Sequence, residues 1–360
     1  MSSRGTGRVR HSAPFTLALG GGRQARSLLG EITQEEHSWL NIKVGNVMLG
    51  TGELMDGIDK SLKFGLIGYG EVGKILSRAL RERGAAWVGT WDILFRGGAR
   101  GPTMKQHARE AGVHDCDSPR LLAERADIVI SAVTPANTYA AASEAAEWIR
   151  PGTFFLDLNS VSPGVKQECA TRIDGTGACY VEAGVMAAVL PYGIRVPTVI
   201  GGQRAADLAA KLMPYGFSLE VVSQKIGVAS AIKMCRSVVI KGMEAILIES
   251  FTTARRYGVE RQVLASLKDS FPGLDWDQQG VYAFSRVVRH GRRRAEEMRE
   301  AAKAVREARF DPWMASATAK KQDEIAGLAS QGRFAGLAAE SGWREYADRI
   351  LNEQGQEGLR

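Results

Sequence analysis

The chain has 360 residues, and at about 100–200 residues per domain it is long enough for two domains whose cores need no metal or disulfide staple. With 44% hydrophobic and 24% charged residues it is neither mainly disordered nor fibrous. Its 47 basic and 40 acidic side chains leave a net charge of +7, too small a surplus to indicate a nucleic-acid partner and equally suited to an anionic small molecule. Cys116, Cys169, Cys179 and Cys235 are too scattered for a disulfide framework or a Cys-x-x-Cys metal site, and the five histidines stand apart from one another. The longest early apolar run, Ala13 to Leu19, is too short to span a membrane. The expectation is a cytoplasmic protein with no membrane partner and no metal.

Residues 1–58 have weak periodicity and scattered Ser, Gly and Arg, with one possible short helix capped by Thr33 and Glu36. They read as a disordered extension, and Met55 is a candidate start. From Leu62 the pattern becomes strand, turn, helix, repeated. Leu62–Ile67 is an apolar run entering glycines, and Val72, Ile75, Leu76, Ala79 and Leu80 give Glu71–Arg83 helical spacing. Strands are predicted at 86–91, 127–133, 153–158, 178–182, 196–200 and 219–222, with a helix over 137–149. Near-continuous apolar strands alternating with amphipathic helices imply a sheet covered on both faces.

After Gln224 the strand pattern stops. Residues 226–257 form one proline-free helical stretch, whose apolar positions Ile232, Cys235, Val239, Ile246 and Phe251 are spread around the helix, as in one buried between domains or subunits. Further helices are predicted at 259–269, 275–290, 293–309 and 336–353. Arg289, Arg292, Arg293 and Arg294 read as a solvated helix face. The predicted architecture is an α/β dinucleotide-binding domain of the Rossmann type over 59–222, then an all-α substrate and dimerisation domain over 223–360, linked by the long helix.

Gly68, Tyr69, Gly70, Glu71, Val72 and Gly73 form a G-x-G-x-x-G turn between a strand and a helix. Gly68 permits the tight turn, Gly70 lets a pyrophosphate approach the backbone, and Gly73 allows close helix–sheet packing. Asp92 closes the second strand 24 residues after Gly68, where a carboxylate can accept both ribose hydroxyls of NAD and repel a 2′-phosphate. Arg96 and Lys105 lie where cations could instead serve NADP, so NAD is preferred without excluding NADP. Val133, Thr134 and Pro135 end the next strand where a dinucleotide crosses, and Asn137 either faces the cofactor or caps its helix.

Asn159 and Ser160 follow an apolar strand, where a loop faces nicotinamide and substrate. Lys233 lies near the start of the long helix with Arg236, Ser237 and Lys241 at i+3, i+4 and i+8. Three cations on a stripe of an apolar helix call for an anion or water, and a lysine so placed has its pKa lowered toward the acid/base range. Met186, Ala187, Tyr192 and Arg195 are candidate substrate-wall residues, Glu182 a candidate acid.

Gly227-Val228-Ala229-Ser230-Ala231-Ile232-Lys233 resembles the β-hydroxyacid dehydrogenase family, which includes 3-hydroxyisobutyrate and 6-phosphogluconate dehydrogenases. The likeness extends from Lys63 into the C-terminal helices, and is to a divergent branch with a phosphogluconate-dehydrogenase-like C-terminal domain. It implies that Lys233 is the catalytic lysine. Ser237 stands where the family usually has asparagine, and Asp157 to Pro163 resembles its D-x-S-T-x-x-P substrate loop, with Asn159 and Ser160 in the serine and threonine places. Glu182 to Ala188 resembles its D-A-P-V-S-G-G segment, with Met186 for the serine and Ala187 and Ala188 for the glycines.

The expected function is therefore an NAD(P)-dependent dehydrogenase acting on the CH–OH group of a small, anionic, β-hydroxy acid. Lys233 would be general acid/base, with Ser160, Ser237 and Asn159 in the catalytic group, and Arg236, Lys241, Met186, Ala187, Tyr192 and Arg195 toward the substrate. A homodimer is expected. The alternatives are a carbonyl or imine reductase of the same fold, or a non-catalytic dinucleotide sensor.

Overall fold

Five residues, Lys63–Ile67 (β1), begin the sheet, and all but the first are buried. The computed structural model describes residues 58–338 and 341–354, so the expected extension, its capped helix and the candidate start at Met55 lie outside the described residues. Helix α1 (Glu71–Glu82) leads to β2 (Trp87–Trp91), followed by α2 (Gly101–Glu110), the two-residue β3 (His114–Asp115), α3 (Pro119–Arg125) and β4 (Ile128–Ser131). Then come α4 (Thr138–Ala146), β5 (Phe154–Asp157), α5 (Pro163–Asp174), β6 (Cys179–Val185), the single turn α6 (Val189–Tyr192), β7 (Thr198–Gly201), α7 (Ala205–Leu212) and β8 (Leu219–Ser223). The strands form one sheet in the order β3-β2-β1-β4-β5-β6-β7-β8, parallel except for the β6–β7 pair. Its two faces are covered by separate apolar clusters, one around Phe64, Leu66 and Ile130, the other around Trp91, Val129 and Phe155. This is the two-sided burial implied by the apolar strands.

Chain order reverses between β1 and β4, which opens the crevice at their carboxyl ends where such sheets take ligands. The register places Ile67, Ser131, Asp157, Glu182 and Gly201 side by side along that edge. Ser131, Asp157 and Glu182 are almost completely buried there, so a polar row lies under the functional end of an otherwise apolar sheet.

The helical part comprises α8 (Val228–Tyr257), α9 (Glu260–Ser270), α10 (Trp276–Glu307), α11 (Trp313–Ser330) and α12 (Trp343–Gln354). With the sheet it belongs to one compact unit. None of the described helices is long and apolar enough to cross a membrane. The helix predictions need correction here, and the one expected at 336–353 begins only at Trp343. The separate helices at 275–290 and 293–309 are one continuous α10, because Gly291 at the junction is a contact point and not a break. A Cβ there would meet the Gln322 carbonyl oxygen at 2.8 Å and the Ala326 Cβ at 2.9 Å, so glycine lets α11 pack against α10. Helix α11 itself was not predicted. It buries Ala315, Thr318, Ala319, Gln322, Ile325 and Ala326, all but Ile325 small or polar, which gives no apolar stripe in sequence.

Helix α8 is also less enclosed than its composition implies. Met234, Leu247, Ile248 and Phe251 are buried, but Ile232, Val239 and Ile246 are 39%, 61% and 49% exposed. Nor are the arginines of α10 all solvated: Arg294 is buried, and its Nε donates to Glu244 Oε2 of α8 at 2.9 Å.

Candidate active site

The glycine turn sits at the carboxyl end of β1. Gly68 has φ +98°, a left-handed conformation that favours glycine, and its N–H donates to the Trp91 carbonyl at 2.8 Å. A Cβ on Gly73 would lie 2.1 Å from the Gly68 carbonyl oxygen. At Gly70, by contrast, a Cβ would meet nothing within 4 Å, and no side chain caps the start of α1. Glu71 is exposed and Val72 half-buried on that first turn. Open space before uncapped helix N–H groups fits a dinucleotide pyrophosphate. Gly73→Ala should therefore weaken NADH binding by about five- to 150-fold, since an overpacked methyl costs about 1–3 kcal/mol. Fluorescence titration measures this, and an unchanged dissociation constant would refute the close-packing role of Gly73.

Asp92 adjoins the turn. Its Oδ2 accepts from the Tyr69 N–H at 2.7 Å and its Oδ1 from the Leu94 N–H at 2.9 Å, which fixes the carboxylate at the end of β2. The Tyr69 ring is buried edge-on against Phe95, so this residue offers the crevice backbone only. Arg96 lies over the Trp91 ring and pairs with Glu144 of α4 at 2.6 Å, while Lys105 pairs with Asp117 at 3.0 Å. Both candidate 2′-phosphate cations are thus engaged with carboxylates. Across the crevice, Pro135 opens a short 3-10 turn. Asn137 does not cap its helix; its Nδ2 donates to Thr134 Oγ1 at 2.9 Å.

Two loops meet at the other side of the crevice. Lys233, on the second turn of α8, donates from Nζ to Ser160 Oγ across 73 residues of sequence. Its stem passes over β6, where a Cβ on Gly184 would come within 3.2 Å of the Lys233 Cβ. Burial lowers its pKa to about 8; the carboxylate of Glu297 opposes this, while Lys241, Lys166 and Arg293 add to it. The half-buried Lys233 and Ser160 can thus exchange a proton with an oxygen placed against them near neutral pH.

Ser237 and Lys241 sit below. Lys241 Nζ donates to Ser237 Oγ at 3.1 Å and pairs with Glu297 of α10 at 2.7 Å, with both residues of α8 nearly buried. Burial resists the charge of Glu297, but the ammonium groups of Lys241 and Lys233 outweigh it and hold the carboxyl down at about 2. Lys241 therefore has a carboxylate partner inside the protein, which argues against the expected direct contact with substrate. Arg236 is exposed, with no hydrogen bond or ion pair among the described residues.

Asn159 differs from its expected place in the catalytic group. It is buried, its Oδ1 accepts from the Val133 N–H at 2.7 Å, and its Nδ2 donates to Ser131 Oγ at 2.9 Å. It ties the Ser160 loop to the end of β4 and has no free polar atom for a substrate. Glu182 is not an acid of the site either. Fully buried on β6, it accepts from the N–H groups of Gly227 (2.6 Å), Ala229 (3.0 Å) and Ser230 (3.2 Å), and so caps α8. Met186 and Ala187 are half-buried just beyond β6. Tyr192 and Arg195 lie on turns packed against α1, with no hydrogen bond to the Lys233 group.

Some residues that build the site gave no sequence signal. Lys166 of α5 is completely buried, donates to the Asp157 carbonyl at 2.9 Å and pairs with its carboxylate at 3.0 Å. Tyr180 OH donates to the same carboxylate at 2.6 Å; burial, then the Asp157 charge, raise its pKa and keep it protonated. From α10, Glu300 accepts the Ser162 N–H at 3.2 Å and Glu307 the Gly164 N–H at 2.9 Å. Glu297, Glu300 and Glu307 share one helical stripe, a spacing visible in the sequence but without an indicated partner.

The family model described as the NAD binding domain of 6-phosphogluconate dehydrogenase matches residues 63–192. A conserved hypothetical protein of solved structure from Sinorhizobium meliloti is 35% identical, with a TM-score of 0.69 over 82% of this chain and 98% of that one. A second solved structure, of a conserved protein of unknown function described as structurally similar to 3-hydroxyacid dehydrogenases, is 32% identical, with a TM-score of 0.61 over 75% of this chain and 99% of that one. The chain belongs to the β-hydroxyacid dehydrogenase family.

Mouse mitochondrial 3-hydroxyisobutyrate dehydrogenase is a more distant member, 23% identical over 218 residues, 59% of this chain and 63% of the mouse enzyme. Residues 254–325, which include the acidic stripe of α10, match a model described as a domain of unknown function, DUF1932. As a β-hydroxyacid dehydrogenase homologue, the protein carries an NAD(P)-binding Rossmann domain, consistent with hydride-transfer oxidoreductase chemistry.

Proposed function

We propose that this protein moves hydride between a nicotinamide cofactor and the hydroxyl-bearing carbon of a small anionic β-hydroxy acid, with Lys233 as the acid/base. The contact between Lys233 Nζ and Ser160 Oγ beside the dinucleotide crevice carries this reading. The bound cofactor would supply the hydride acceptor or donor. Neutral Lys233 takes the hydroxyl proton as the alcohol is oxidised, and protonated Lys233 returns it in reduction. Ser160 orients the reacting oxygen, Ser237 and Lys241 hold the helix face behind it, and Arg236, one turn on, meets the substrate's anionic group at the open side of α8. A spectrophotometric screen of NADH and NADPH against hydroxy acids, alcohols and their carbonyl products tests this. Tight cofactor binding without turnover of any of them would favour a sensor.

NAD is the preferred cofactor in this reading, because Asp92 stands at the end of β2 while Arg96 and Lys105 are ion-paired. Asp92→Ala should narrow or reverse the preference, read as the ratio of NADH to NADPH dissociation constants. A wild-type preference for NADPH would contradict it. The buried free thiols of Cys116 and Cys169 support a cytoplasmic setting.

The reading includes a homodimer. Ile232, Val239 and Ile246 recur every seven residues along the exposed side of α8, the spacing of a helix–helix seam. Light scattering should report twice the monomer mass, and Val239→Glu should halve it. A wild-type monomer at micromolar concentration would reject the dimer.

A further inference from the structure

Helix α10 sends an ionised carboxylate toward a pair of lysines on α8, and the site described so far gives that carboxylate no task of its own. Glu297 Oε2 lies 2.7 Å from Lys241 Nζ, and Glu297 Oε1 lies 3.9 Å from Arg293 Nε at the open rim. Lys241 Nζ reaches back to Ser237 Oγ at 3.1 Å, one turn from Lys233. The groups that act on Lys233 are thus Lys166 from α5, Lys241 from its own helix, and Glu297 and Arg293 from α10, with Ser160 as its hydrogen-bond partner. Three of the four charged groups are cations, and Glu297 is the one carboxylate among them.

We propose that Glu297 is a positioning residue of the reaction, the counter-charge from the helical part that pairs with Lys241 beside Lys233 and sets when Lys233 carries its proton. The proposal rests on the acid/base assignment of Lys233 for its importance to turnover, but the charge relation is measurable without turnover. It also gives the region matching DUF1932 a direct link to the chemistry. Opposite and like charges at this range move a lysine in opposite directions. Without Glu297, Lys233 faces only cations and releases its proton at lower pH. Without Lys241, Lys233 loses a neighbouring cation while Glu297 remains, and it holds its proton to higher pH.

The experiment is competitive labelling of the full-length protein with acetic anhydride across a pH series, with Lys233 followed by peptide mass spectrometry. Exposed Lys225 serves as internal reference. In Glu297→Gln, the Lys233 labelling midpoint should fall, making the residue about tenfold more reactive near neutral pH. In Lys241→Met the midpoint should rise, and Glu297→Asp should stay near wild type. The turnover limb that reports Lys233 should move with the midpoint. A purely structural role predicts something different: loosened packing admits water and moves Lys233 toward an ordinary lysine in both variants. An unchanged or raised midpoint in Glu297→Gln overturns the proposal. Should that variant not fold, a midpoint in Lys241→Met that does not rise overturns it equally. If instead the midpoints shift as expected while Lys233→Met retains turnover, the acid/base assignment fails and the charge relation stands.

Discussion

Lys233→Met should lower turnover by about 10²- to 10⁴-fold, the usual contribution of a positioned acid/base, while the NADH dissociation constant stays within about twofold. Methionine keeps most of the stem that passes over Gly184 but cannot hold or release a proton. The wild-type pH profile follows from the same group. Burial, moderated by Glu297, brings its pKa to about 8. The oxidative rate, which needs the neutral amine, should rise with pH and level off above that value. The reductive rate, which needs the ammonium, should be full below it and fall above it. Exposed Lys225→Met controls for the loss of one positive charge. Lys241→Met cannot serve as a mild control, because it would strand the carboxylate of Glu297. If Lys233→Met keeps more than about a tenth of wild-type turnover, the lysine is not the proton carrier.

The largest effect on stability should come from Lys166→Met. Lys166 and Asp157 are both completely buried, and their ion pair at 3.0 Å is joined by Tyr180 OH and by the Asn159 N–H at 2.9 Å. Removing one member of a buried pair leaves an uncompensated charge and costs about 3–5 kcal/mol, because the remaining carboxylate has already given up its water. That is a large share of the about 5–15 kcal/mol that holds a typical domain folded. Urea unfolding of the variant should show a midpoint lowered accordingly. The double variant Lys166→Met/Asp157→Asn should recover part of the loss, since a neutral amide on β5 no longer needs a cation. A loss below about 1 kcal/mol in Lys166→Met would mean that water reaches Asp157.

These two sites differ in how far they could be read from sequence. Gly68, Gly70, Gly73 and Asp92 belong to one strand–helix–strand unit, so their spacing carries their meaning. The position of Lys233 near the start of α8 was legible from the glycine that precedes the helix. Lys166 sits in a helix with no marked apolar stripe, and its partnership exists only because α5 folds back to the end of β5. Glu182 looked like an acid because a carboxylate at a strand end usually is one or pairs with an arginine. Its actual partners are backbone N–H groups 45 to 48 residues away, which no side-chain pattern records. The two residues of β3 were too few to show alternation, and Gly291 read as a helix end because its reason, the close approach of α11, is tertiary. Asn159 was placed correctly in the chain but not in its role: being next to Ser160 did not reveal that its amide would turn inward to β4.

The cap on α8 has a consequence for how the molecule comes apart. The first turn of a helix is ordinarily where unravelling starts, since its N–H groups have no partners within the helix. In this protein those groups end on a carboxylate sealed inside the sheet, so fraying from that end would leave the buried Glu182 charge without its donors. The lysine-bearing turn is therefore in the same cooperative unit as the central strands, and small local fluctuations leave it in register with Ser160.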